Sequence, residues 1–246
     1  MSLYDLKALS RDELRTFAVE NLRTMGEDEA LAILENPYCG PQVCQLVAQN
    51  QRLTSFYSVR LRLVAHRGTP QAHAMKFVHF LYWPDLLRLS CEVTVPAPVR
   101  RAIDNALLLR VDKLTLGERV TSARRCSQAL IKIFLRDRDP KVFASLLINE
   151  RLREDDLVYV AGLHETPIEH LLLIAADRKW SFRYAVRKAL VLNPRTPRST
   201  AASQLRFLTR LDRMQIHANP ATSTYLRRCI ERLDVPDSSS EMERIG

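Results

Sequence analysis

Apolar residues along this chain recur three and four positions apart in many short runs, and strand-like alternation is hard to find. Val186, Ala189 and Leu190, with Asn193 a turn further on, share one helical face; Val59, Leu63 and His66 do the same. Each run is soon cut. Asn-Pro at 36–37, 193–194 and 219–220 stops a helix, because the residue before proline is pushed out of the α region. Thr-Pro at 69–70, 166–167 and 196–197 reads as a restart, with threonine as N-cap and proline as first helical residue. Ser10 with Glu13 and Thr115 with Glu118 form capping boxes. The pattern predicts about fourteen helices, mostly of about eight to sixteen residues, joined by turns of about two to five. Helices this short do not stand alone; antiparallel pairs must bury their apolar stripes against neighbours. The expected class is therefore all-α: a right-handed α-solenoid of stacked helix pairs.

The phrase VRLRLVAHRGTP at 59–70 returns as VRKALVLNPRTP at 186–197, an offset of 127 in the numbering. That offset holds without a gap from 25 to 103, giving 18 identities over 79 positions. Among them are Tyr57 and Tyr184, Arg60 and Arg187, Phe80 and Phe207, Asp85 and Asp212, and the pairs Arg100-Arg101 and Arg227-Arg228. An internal duplication is the expectation, with copies at about 25–103 and 152–230 inside a single solenoid domain spanning 1–234.

The phrase V-R-x-A-L-x-x-N-P-x-T-P, followed by a further Asn-Pro at 219–220, resembles the leucine-rich repeat variant and HEAT-like repeats of bacterial proteins. The resemblance covers roughly residues 25–233 and is best over 180–233. It implies a HEAT-like solenoid that serves as a binding scaffold. Some variant-repeat proteins carry an iron–sulfur cluster; the cysteines here are not grouped for one, and no cofactor is expected.

Composition sharpens the picture in one respect. The net charge of +9 hides an acidic start, with four basic and eight acidic residues in 1–50. Residues 51–233 carry 32 basic and 16 acidic side chains, and 30 of the 37 basic residues are arginine. The end, residues 235–246, turns acidic again and is expected to be a disordered tail. The start lacks the basic and apolar regions of a signal peptide, and no apolar run is long enough for a membrane span. Five scattered cysteines fit neither a disulfide framework nor C-x-x-C zinc spacing, so free thiols in a reducing cytoplasm are expected and no metal site.

Candidate chemistry is sparse. LHETPIEH at 163–170 sets His164 and His170 six apart with Thr-Pro between, whereas a zinc-protease helix needs two histidines one turn apart. His164 reads as a helix C-cap, like His66 and Asn193. His73 and His79 read as core edge or surface. The acidic runs 27–29 and 154–156 read as helix starts facing the positive dipole end. Trp83, Asp85, Asp177 and Trp180 are similar in type, though not residue by residue, to the nucleotide-holding set of basic, HEAT-like alkylpurine DNA glycosylases of the AlkD type. No catalytic constellation emerges. The candidate binding residues are Arg60, Arg100, Arg101, Arg187, Arg227 and Arg228: four of them follow core positions, and stacking would array them as a basic ladder. The expected function is a non-catalytic binding or scaffold protein along a basic repeat surface. Another protein is the expected partner, nucleic acid the alternative, and no membrane is involved.

Overall fold

A computed structural model describes residues 3–234; the acidic segment 235–246 lies outside the described residues. All regular structure among them is helical. The first compact unit, Met1–Leu130, holds α1 (Leu3–Ala8), α2 (Arg11–Asn21), α3 (Glu27–Glu35), α4 (Pro41–Gln49), α5 (Tyr57–Ala65), α6 (Gln71–Val78), α7 (Trp83–Ser90), α8 (Ala97–Leu108) and α9 (Leu116–Ala123). Short 3-10 turns at Leu53–Ser55 and Val111–Lys113 complete it, and α10 (Gln128–Phe134) carries the boundary. The second unit, Ile131–Gly246, holds α11 (Pro140–Leu147), α12 (Glu154–Gly162), α13 (Ile168–Ala176), α14 (Tyr184–Leu192), α15 (Arg198–Leu205), α16 (Arg210–Ala218) and α17 (Thr224–Asp234). The described helices number seventeen rather than fourteen, and they are shorter than expected, six to twelve residues. Extra starts come from prolines such as Pro84, which sits in the first turn of α7, where no hydrogen bond is lost.

Alternate helices lie side by side. In the first unit α3 packs between α1 and α5 while α2 packs on α4; α6 and α7 then close on α8. In the second, α11 packs on α13, α12 on α14, and α15 and α16 on α17. Leu6, Leu14, Ile33, Val47, Val59 and Leu63 are buried in the first core, and Phe143, Leu157, Ile174, Val186 and Leu190 in the second. Val191, Ala201, Leu205, Leu208, Ile216, Leu226 and Ile230 form one continuous cluster beneath the last helices.

Asparagines that are buried or half-buried accompany this row pattern. Asn36 ends α3, and its side-chain amide donates to Leu6 O (2.9 Å) and Leu9 O (3.0 Å) at the end of α1. Its Oδ1 meanwhile accepts from Tyr38 N (2.7 Å). Asn50 ends α4 and donates to Leu22 O (3.0 Å), just past α2. Asn193 ends α14, donates to Ala161 O (2.7 Å) and Leu163 O (2.9 Å) at the end of α12, and accepts from Arg195 N (2.9 Å). One side chain thus stops its own helix and satisfies the open carbonyls of the helix two before it.

Two local expectations are corrected. The Thr-Pro threonines are not N-caps: Pro70, Pro167 and Pro197 occupy that place themselves, in extended backbone, and their carbonyls take the first helical bonds. Thr69, Thr166 and Thr196 are buried one residue earlier, and Thr166 Oγ1 turns back to Val160 O (2.6 Å). His164 is not the C-cap of α12, since that place falls to Leu163 and His164 is exposed. Its spacing to Thr-Pro is one residue shorter than that of His66 and Asn193. Both expected capping boxes form, through Ser10 with Glu13 and Thr115 with Glu118.

Candidate functional site: paired arginine and aromatic clusters

The same small constellation appears once in each unit, at positions 127 apart in the numbering. Tyr57 opens α5, and its hydroxyl donates to Asp85 Oδ2 (2.5 Å) and accepts from Tyr82 N (3.2 Å). Tyr184 opens α14, donates to Asp212 and accepts from Thr209 N (3.1 Å). Burial, and then the Asp85 carboxylate, push the Tyr57 phenol up to about 12. Lys188, 2.8 Å away, and then Tyr184 hold Asp212 below the usual carboxylate range.

Three residues into each helix stands an arginine. Arg60 Nε donates to Thr54 O in the loop before α5, and its guanidinium lies 4.9 Å from the Phe80 ring. Arg187 Nε donates to Ser181 O (2.5 Å), and its guanidinium lies 3.9 Å from the Phe207 ring and 5.6 Å from Phe182. Arg206 approaches Phe207 at 4.7 Å. The rings remain open to solvent: Phe80 is 54% exposed, Phe182 73% and Phe207 43%. Each arginine therefore lies against exposed aromatic rings while holding a carbonyl of the segment that precedes its own helix. Arg187→Ala should lower stability by about 1–2 kcal/mol, and Arg187→Lys should recover only part, because an ammonium lacks the planar face and the Nε donor. Urea melts of both variants check this.

The other predicted arginines divide. Arg100 and Arg227 are half-buried behind Val99 and Leu226; Arg227 donates to Asn219 O (3.0 Å) and Pro220 O (3.2 Å). Each keeps a buried Nε without a partner. Arg101 and Arg228 are exposed and make no ion pair with a described residue. So Arg60, Arg187 and Arg227 are bound to backbone carbonyls, and only Arg101 and Arg228 stand out from the surface. Sequence pattern alone does not mark the ring partners Phe80 and Phe207 as site residues, although both belong to the repeated set.

The residues weighed for glycosylase-like chemistry are engaged otherwise. Trp180 is 3% exposed and donates to Leu147 O (3.0 Å); Asp177 caps α13 and accepts from Lys179 N and Trp180 N. Trp83 donates to Ser122 Oγ (2.8 Å). The acidic runs do open α3 and α12, with Glu29 and Asp156 accepting from the N-cap amides of Gly26 and Arg153. A cleft in the second unit is lined by His164, Asn193, Arg198, Asn219 and Ser223, with no carboxylate among its lining residues. His79 is exposed and His73 half-buried. His170 is buried on α13, stacked on Phe143 of α11 with ring centroids 4.1 Å apart, and the backbone of Arg138 is the polar group that favours its charged form most directly.

One grouping had no local signal in the sequence. Cys39, in the loop before α4, Cys44 on α4 and His66 at the end of α5 bring their ligand atoms within 4.8 Å of one another. The sulfurs are 3.6 Å apart, and Cys44 Sγ is 3.1 Å from His66 Nδ1. The Cys39 thiol hydrogen-bonds to Cys44, which lowers the Cys44 thiol against the opposing effect of its burial. Cys39 moves up, through that hydrogen bond and its burial.

Among the described residues no helix is long and apolar enough to cross a membrane. Comparison with protein-family models, curated proteins and solved structures finds no match to this chain.

Proposed function

We propose that this chain is a non-catalytic binding scaffold: a HEAT-like, right-handed α-solenoid with an internal duplication, recognising another protein in the cytoplasm. The observation that carries the reading is the arginine-propped aromatic cluster of Phe80 with Arg60 and of Phe182 and Phe207 with Arg187. Large rings held rigidly at the surface beside guanidinium groups are what protein interfaces favour at their anchoring points, since little side-chain entropy is lost on docking. The basic excess over 51–233 favours a partner face rich in carboxylates. The alternate-row packing and the contacts that recur at the sequence offset support the repeat architecture, and the five free cysteines suit a reducing compartment.

The test uses the full chain and a Phe80→Ser, Phe182→Ser, Phe207→Ser variant with unchanged circular dichroism. A protein retained by the wild type, purified and re-bound at fixed stoichiometry, should bind the variant about tenfold or more weakly. Equal affinity for the variant overturns the role of both clusters. Retention of nucleic acid instead, with a steep salt dependence flattened by Arg101→Ser with Arg228→Ser, overturns the choice of partner in favour of phosphate recognition. Those two arginines are the suitable probes because both are exposed, whereas Arg100 and Arg227 are half-buried.

A further inference from the structure

We propose that Cys39, Cys44 and His66 form a three-ligand site for a thiophilic divalent cation of the zinc class, with a fourth position open to water. The ligand set is suited to it: two sulfurs and an imidazole nitrogen are the donors such an ion prefers. The spacing is close to what coordination requires. With Zn–S near 2.3 Å and Zn–N near 2.05 Å, a tetrahedral ion separates two sulfurs by about 3.8 Å and a sulfur from a nitrogen by about 3.6 Å. Two of the observed separations, 3.6 Å and 3.1 Å, lie within about half an ångström of these values, and all three ligand atoms lie within 4.8 Å of one another.

The imidazole faces the sulfurs with the right atom. Gly68 N donates to His66 Nδ1 (3.0 Å), so Nδ1 carries its lone pair and the ring proton sits on Nε2. A metal at Nδ1 takes the place of that one neutral hydrogen bond.

Gly68 gives a second, independent indication. Its backbone does not need glycine, because no described residue has positive φ. A Cβ at this position would instead stand 3.1 Å from His66 Nδ1 and Cε1 and 3.4 Å from Cys44 Sγ. Glycine is what keeps the space beside the His66 and Cys44 donors clear. At the equivalent positions of the second copy, the chain has Thr166, Leu171, Asn193 and Arg195 for Cys39, Cys44, His66 and Gly68. The cap role of His66 is filled there by Asn193, whose Oδ1 accepts from Arg195 N as Nδ1 accepts from Gly68 N. Capping asks only for an acceptor; the two sulfurs placed against that acceptor are what the capping role leaves unexplained. The ion would tie the start of α4 to the end of α5, within the first unit.

Reduced, chelator-treated full-length protein titrated with Co2+ should take up one equivalent. Thiolate-to-cobalt charge-transfer absorption and intense visible bands should appear, and both should vanish when Zn2+ is added. His66→Asn keeps the cap, since asparagine ends α3, α4 and α14, and should weaken Co2+ binding at least tenfold. Cys39→Ala, in the loop, should do the same and serves if the first variant unfolds. Absence of the charge-transfer band in folded, reduced wild type overturns the proposal. So does undiminished binding in either folded variant, or a Cys39–Cys44 disulfide that persists under reductant.

Discussion

Asn193→Ala should destabilise the second unit by about 3 kcal/mol. The side chain is 4% exposed and makes three hydrogen bonds, two given to Ala161 O and Leu163 O and one taken from Arg195 N. Leu163 O keeps a second donor in Thr166 N, so the heaviest loss falls on Ala161 O, left buried at the open end of α12. An orphaned buried group costs its full desolvation, whereas a satisfied pair contributes much less. Asn193→Asp should be no milder: it keeps the acceptor for Arg195 N but sets a second carboxylate oxygen against two carbonyls. Asn193→His should retain part of the stability, because His66 supplies an acceptor of the same kind after α5. In a Trp83→Phe background, fluorescence of buried Trp180 follows the second unit alone during urea denaturation. A loss of under about 1 kcal/mol for the alanine variant, well below the range for orphaned buried groups, would show that water satisfies these carbonyls instead.

This asparagine also marks what the chain discloses and what it hides. That a helix stops at Asn193-Pro194 is a local matter, decided by the proline ring against the preceding residue, and the same reasoning finds Asn36 and Asn219. That the amide grips the end of α12 is not local. Its carbonyl partners lie far back along the chain, on another helix and its exit, and no spacing rule names them. The Thr-Pro steps are misplaced by a single residue for a related reason. A proline can open a helix either at the first helical position or as the N-cap, and the choice here rests on each threonine being buried behind it.

The candidate site shows the same division. The repeat offset selects Arg60 with Arg187 and Phe80 with Phe207 as repeated residues, but repetition does not say which residues meet. Helix periodicity puts the arginines beside core positions, and Val59, Val99, Val186 and Leu226 are indeed buried. It does not show the guanidinium of Arg60, Arg187 or Arg227 folding back onto the carbonyls of the preceding loop. Long side chains reach several ångströms in directions fixed by packing, so periodicity assigns them a face and no partner. Cys39, Cys44 and His66 lie further out of reach, since their separations along the chain correspond to no spacing within a single element.

Phe143→Ala should cost the second unit roughly 3–4 kcal/mol at neutral pH, and less in acid. The ring is fully buried on α11 and supplies the stacked face on which His170 of α13 rests. Burial lowers the His170 pKa, although Glu169, Asp137, the Arg138 backbone and Asp139 pull the other way. A histidine lowered in the folded state binds its proton more readily when unfolded. Wild-type stability from this group is therefore fully present above the unfolded value of about 6.5 and declines as pH falls through it. Removing the Phe143 ring opens a cavity beside the imidazole and admits water, which lets the histidine titrate nearer its ordinary range. The variant should thus start lower and decline less steeply, so the two stability curves converge between about pH 7 and pH 5, on either side of that value. His170→Phe separates the two effects: it preserves the stack, removes the titrating ring and should flatten the acid limb. Urea melts across that pH range, followed by Trp180 fluorescence in the Trp83→Phe background, measure all three. An acid slope in His170→Phe equal to the wild type's would assign the pH dependence to another group, and would leave Phe143 acting through apolar packing alone.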